Sequence, residues 1–210
     1  MKILDGKKQR AEKIIAKLKE LFPDAKIVLN YSNNWELLVA VILSAQCTDK
    51  MVNKVTEKLF QKYKMLDEYV KADVQEFEQD IKSSGFYRAK TKNILVAAKM
   101  VKEKYGGKVP ASMAEILTLP GVARKTANVV LGNAYGIVEG IAVDTHVRRL
   151  SKLLKLTTHD DPVKIEKDLM KIVQKKDWFK LTYLLIDYGR KYCTARKHDH
   201  EKCPLYGYGK

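Results

Sequence analysis

Cysteine is scarce and odd in number: Cys47, Cys193 and Cys203 are the only 3 in 210 residues. That argues against a disulfide framework. Proline and glycine number 5 and 11, too few for a low-complexity chain, and 46% hydrophobic residues describe a folded globular protein. Long apolar runs are missing too. The longest, Trp35–Ala45, contains Glu36 and Ser44. It is too short for a membrane span and reads as a buried helix. The opening Met1-Lys-Ile-Leu-Asp-Gly-Lys-Lys lacks the apolar core of a secretory signal. The expected location is the cytoplasm, at the nucleoid, or the nucleus in a eukaryote. Strand signals are short and isolated: Ile27–Leu29 and Ile141–Val143 read as extended connectors. Acidic residues are the minority, 25 against 40 basic ones, for a net charge of +15 and a pI near 9.6. A nucleic-acid partner explains that excess. Lysines that merely solvate helix faces explain it as well, so charge alone leaves both readings open.

What is present is helical periodicity. Ala11, Ile14, Leu18 and Leu21 make one apolar stripe. Val55, Leu59 and Tyr63 make another, Val74, Phe77 and Ile81 a shorter one. Ile94, Ala98, Val101 and Tyr105 mark a long helix that stops at Gly106-Gly107. Asp161-Pro162 has the form of a helix start, with Asp as cap and Pro in the first turn. Trp178, Leu181, Leu185 and Tyr188 form the last stripe, which Gly189 is placed to end. The expected fold is all-α, about ten helices around one or two cores.

The most informative segment is Ile116–Val130. A short helix runs into Leu119-Pro120-Gly121, and a second is expected from about Val122. A Pro-Gly turn between helices aims the main chain around Gly121, Val122, Ala123, Arg124 and Thr126 outward, with the positive end of the helix dipole behind it. That arrangement suits a phosphate oxygen. An ordinary helix–turn–helix corner has the same local signature.

Lys125 follows one turn into that helix, and Val143-Asp144-Thr145-His146 lies nineteen residues beyond Lys125. A neutral lysine amine can attack a sugar carbon and form a Schiff base. Partial burial, Arg124 and the helix N-terminus would help it shed its proton. A carboxylate nearby can stabilise positive charge on the sugar. Taken singly, Lys125 also reads as a solvated lysine, and Asp144 as the cap of a helix bearing Val147, Leu150 and Leu154.

Leu119–Val130 followed by Ile141-Ala-Val-Asp-Thr-His-Val147 resembles the endonuclease III family of helix–hairpin–helix DNA glycosylases. The resemblance extends to Glu36–Asp49, to Ser84-Gly-Phe-Tyr87 and to Tyr188-Gly-Arg-Lys-Tyr-Cys193. It covers nearly the whole chain. The family hairpin reads Leu-Pro-Gly-Val-Gly, and Ala123 stands at its second glycine. If that position needed positive φ, alanine there would cost stability. The resemblance implies that Lys125 is the Schiff-base nucleophile and Asp144 essential. It implies that Gln46 enters the base stack, that Phe86 is the wedge and that His146 lines the pocket. From the residues alone, Phe86 also reads as a core side chain and His146 as a helix-start histidine.

The same family usually ends in a four-cysteine loop holding a [4Fe–4S] cluster. Aligned from Cys193, the remaining positions here are His200, Cys203 and Gly209. Two thiolates are fewer than a cluster normally takes, so the expectation is no cofactor and no iron–sulfur cluster. Cys193, His198, His200 and Cys203 offer zinc-type ligands at a spacing unlike a standard finger. The alternative, taken as the expectation, is a loop held by packing of Tyr192, Leu205, Tyr206 and Tyr208, with Arg196 and Lys197 facing DNA phosphates.

The implied architecture is two helical lobes with the DNA cleft between them. One is a barrel of residues 27–138, with the hairpin at about 113–135. The other joins residues 1–26 to 139–210 and carries the degenerate cluster loop at 193–209. The implied activity is that of a monomeric bifunctional glycosylase and abasic-site lyase acting on oxidised or ring-saturated pyrimidines in duplex DNA. A monofunctional glycosylase, or a non-catalytic protein that binds DNA structure, remains the alternative.

Overall fold

The computed structural model describes residues 2–209. Within them lie α1 (Lys2–Leu21), α2 (Asn34–Leu43), α3 (Asp49–Lys62), α4 (Leu66–Lys71), α5 (Val74–Asp80), α6 (Tyr87–Lys104), α7 (Met113–Ile116), α8 (Arg124–Tyr135), α9 (Thr145–Leu153), α10 (Pro162–Ile172) and α11 (Trp178–Lys191). Short 3-10 turns complete the set, and no strand occurs among the described residues. The fold is all-α, and both expected connectors lie outside any regular element. No described helix is long and apolar enough to cross a membrane. The chain forms two compact units, Val28–Ile137 and a second built from the two chain ends, up to Ile27 and from Val138.

In Val28–Ile137 the apolar run becomes α2. Asn33 caps it, accepting from the Glu36 amide at 2.9 Å, and every residue from Trp35 to Leu43 is buried. A helix apolar on all sides belongs at a centre, and α2 packs with α3, α6 and α8. Each fully buried leucine there contributes roughly 1.5–3 kcal/mol. Trp35, Tyr63, Tyr69 and Phe77 close one side with ring centroids 5.3–5.9 Å apart.

The second unit packs α1, α9, α10 and α11 around Ile14, Leu18, Val147, Leu150, Ile165, Leu169, Leu181, Leu185 and Tyr188. Asp161 caps α10, accepting from the Lys164 amide at 2.9 Å, with Pro162 in the first turn. Gly189 does not end α11, which continues to Lys191. Its role is close approach: a Cβ there would run into His146, with Leu150 and Arg149 also inside ordinary contact. A mid-helix glycine costs about 1 kcal/mol, here offset by the packing of α9 against α11. Past α11 the chain folds back, with Leu205 fully buried and its amide donating to the Tyr188 hydroxyl at 3.2 Å.

Candidate nucleic-acid interface and metal centre

The hairpin in Val28–Ile137 is α7, a tight turn and α8. The Val122 amide bonds back to the Leu119 carbonyl at 3.2 Å and Ala123 is extended, so α8 starts at Arg124, two residues later than the sequence predicts. Gly121 is demanded twice, by φ +79° and because a Cβ would stand 3.0 Å from Asn93. Ala123 has φ −90° and ψ 171°, a conformation open to any residue, so replacing the family glycine costs no strain. Ala123 caps α8 without a side-chain bond. Val122 is buried and anchors the turn, Gly121 and Ala123 are exposed, and Arg124 and Thr126 are half-buried. Lys125, in the first turn of α8, is exposed, where partial burial was expected.

Two further loops of this unit carry Gln46 and Phe86. Both are exposed and left-handed, with φ 53° and 48°. Phe86 is 65% exposed, so it is no core side chain. Non-glycine residues held at positive φ cost of order 1–3 kcal/mol each and persist only when their surroundings impose them. Lys90 supplies such a restraint, and reading the sequence for motifs missed it. It lies on α6, is 4% exposed, and its Nζ donates to the carbonyls of Leu43 and Ser84, each at 2.8 Å. Leu43 lies three residues before Gln46, Ser84 two before Phe86. Burial pushes the Lys90 amine below the usual lysine range, and charge-assisted bonds to both carbonyls offset that cost. The available signal was a lysine four residues before Ile94, in line with Ala98 and Val101 on the buried stripe.

In the second unit Asp144 caps α9, accepting from the Val147 amide at 2.8 Å, and is half-buried. The bond fixes the carboxylate at the positive end of the helix dipole. His146, half-buried in the same first turn, packs on Gly189 of α11. A groove of about 750 Å³ is lined by Thr145, Arg148, Arg149, Lys152, Arg196, Lys197 and His200, with Asp160 as its one acid. Lys152 pairs with Asp160 at 2.6 Å. The structure thus gathers Arg196 and Lys197 beside the first turn of α9, whereas Lys125 and Asp144 belong to different units.

The terminal loop corrects the expectation of no cofactor. Cys193, His198, His200 and Cys203 each offer one ligand atom, and the four atoms all lie within 4.8 Å of one another. Both cysteines are buried and both histidines half-buried. The stretch where the endonuclease III family carries its [4Fe–4S] cluster is therefore arranged for metal in this chain too. Packing is present as well, since Tyr192, Tyr206 and Tyr208 lie against the core, but packing is not all that the loop provides. Without an ion, burial and the neighbouring Cys193 push the Cys203 thiol above its ordinary range.

Residues 39–175 match the family model described as HhH-GPD superfamily base excision DNA repair protein. The chain is 52% identical over 200 residues to endonuclease III of Synechocystis sp. (strain ATCC 27184 / PCC 6803 / Kazusa), covering 95% of this chain and 91% of that one. It is 49% identical over 198 residues to endonuclease III of Bacillus subtilis (strain 168), with 94% and 90% covered. A solved trapped endonuclease III–DNA covalent intermediate superposes with a TM-score of 0.91 at 45% identity, covering 96% of each chain. The hairpin, the helical architecture and these matches together make the chain a member of the HhH-GPD superfamily of base excision DNA repair proteins, and endonuclease III-like within it.

Proposed function

We propose that the chain is a bifunctional DNA glycosylase and abasic-site lyase of base-excision repair. It removes oxidised or ring-saturated pyrimidines from duplex DNA, then nicks the strand by β-elimination. The observation that carries the reading is an exposed lysine in the first turn of α8, directly after a Pro-Gly turn shaped for phosphate. The curated relatives are named endonuclease III, and a solved endonuclease III was trapped as a covalent intermediate with DNA, which supports a lysine that bonds to substrate.

The main chain of Gly121 and of Ala123 to Thr126 grips one phosphate, the Val122 amide being held by the Leu119 carbonyl, and Arg196 and Lys197 add charge for the backbone. A base inside a duplex is out of reach, so the nucleotide is flipped out. Phe86 wedges between base steps and Gln46 fills the gap. The Lys125 amine attacks C1′ of the flipped nucleotide, and the C1′–N bond breaks. Its electron pair leaves with the base, which takes up a proton. Asp144 stabilises the positive charge that develops on the sugar, while His146 lines the pocket. Loss of the amine proton and opening of the sugar ring give a Schiff base. Removal of a C2′ proton then expels the 3′ phosphate by β-elimination, and water hydrolyses the Schiff base to free the lysine.

Borohydride reduces the Schiff base to a stable amine, so the protein cross-links to abasic-site DNA. Lys125→Ala is expected to abolish that adduct while still binding the duplex, and no adduct with the unaltered protein would sink the lyase reading. Release of base without an adduct would instead indicate a monofunctional glycosylase. Binding with neither would indicate a structure-binding protein. Asp144→Asn separates cap from catalyst: asparagine caps as well as aspartate but carries no charge. Base release is expected to slow by about 10²–10³-fold with the melting temperature unchanged; an unchanged rate would leave Asp144 only its cap.

A further inference from the structure

We propose that Cys193, His198, His200 and Cys203 hold a single zinc ion that orders the terminal loop. The Cys193 thiol stands 3.6 Å from His200 Nδ1, and the Cys203 thiol 3.3 Å from His198 Nε2. Metal–sulfur bonds near 2.3 Å and metal–nitrogen bonds of about 2.0–2.1 Å give a tetrahedron with S···N edges of about 3.5 Å and an S···S edge of about 3.8 Å. The two measured edges match that figure, and the 4.8 Å limit on the whole set leaves an inward adjustment of about an ångström to close it. Two soft thiolates and two imidazoles in tetrahedral array select zinc over hard cations, which prefer oxygen.

The groups behind the ligands are already set for an ion. His198 Nδ1 lies 2.8 Å from the Arg196 carbonyl. With its proton donated there, Nε2 turns a lone pair toward Cys203, the usual arrangement behind a ligating histidine. The two imidazoles converge, with ring centroids 4.2 Å apart. On the sulfur side, Arg149 of α9 reaches Cys193 twice, with Nη1 3.6 Å from the thiol and Nη2 donating to its carbonyl at 2.5 Å. The ion would clip residues 193–203 into one turn and, through Arg149, fasten that turn to the helix Asp144 caps. Arg196 and Lys197 lie inside the clip, so it fixes two of the charges that line the groove. Their use on DNA rests on the function proposed above, but the metal site itself does not.

The deciding measurement is metal content of the full chain, purified without a metal-affinity tag from cells supplied with both iron and zinc. One zinc per chain is expected, and X-ray absorption should show two sulfur and two nitrogen neighbours. His198→Ala and Cys203→Ser should each lose the ion. His198→Ala is the sharper variant, because His198 does not occupy any of the four family cysteine positions. Four irons with acid-labile sulfide, or no stoichiometric metal, would overturn the proposal, as would full zinc retention by His198→Ala. Because borohydride trapping is read separately, failure of the metal site and failure of the lyase reading are distinguishable.

Discussion

The loops bearing Gln46 and Phe86 and the loop bearing Arg196 and Lys197 hold their shapes by opposite means. The first two run through left-handed backbone at non-glycine residues, and a buried ammonium bonded to a carbonyl in each approach restrains them. The terminal loop has no positive φ among its described residues; side chains converge on one point instead. A strained loop needs a neighbour that imposes its conformation. A relaxed loop needs a fastening, because nothing in its backbone selects one shape from many. The loops of Gln46 and Phe86 thus rely on α6, and the terminal loop on the proposed metal and its ligand set.

The largest expected effect follows from removing that ion. A strong chelator should strip amide protection from residues 193–205 while leaving Leu37–Ile42 unchanged, as read by hydrogen exchange, because structural metal binding is local folding energy. Equal loss in both units would break the contrast. Next comes Lys90→Met, which leaves two buried carbonyls without their donor. A loss of about 2–4 kcal/mol is expected in urea unfolding, with base release falling more than affinity for abasic duplex. A change confined to stability would reduce Lys90 to an ordinary core group. The smallest effect belongs to Phe86→Gly, where relief of the left-handed conformation should stabilise the fold by up to about 1 kcal/mol while flipping of the damaged base is impaired. Destabilisation would mean that the loop is not strained.

The helical class was legible because apolar periodicity is long and strong, and the run around Val39 is too apolar to lie anywhere but inside. The misreadings have causes that apolar periodicity does not carry, some tertiary and some in local turns. Gly189 looked like a helix end, since glycine commonly follows one, yet it serves a close crossing with His146 that no local pattern announces. Val122 looked like the first helical residue, but its amide turns back to Leu119. The exposure of Lys125 depends on neighbours distant in sequence. In the terminal loop all four donors were visible, but their convergence was not. Asp199 caps a 3-10 turn at His200–Lys202, and that turn returns the chain so that Cys203 meets His198. A spacing rule drawn from zinc fingers has no equivalent of it.

Lys90 also bears on how this chain can vary over evolutionary time. Exposed loop tips ordinarily accept inserted residues at little cost. The segments at 44–47 and 84–86 are exposed at their tips, yet each begins at a carbonyl tied to the same nitrogen. Lengthening either ahead of its tip would move one carbonyl and leave the other to carry the ammonium alone. The two segments are therefore anchored at their starts by one nitrogen, although 36 residues of chain separate them.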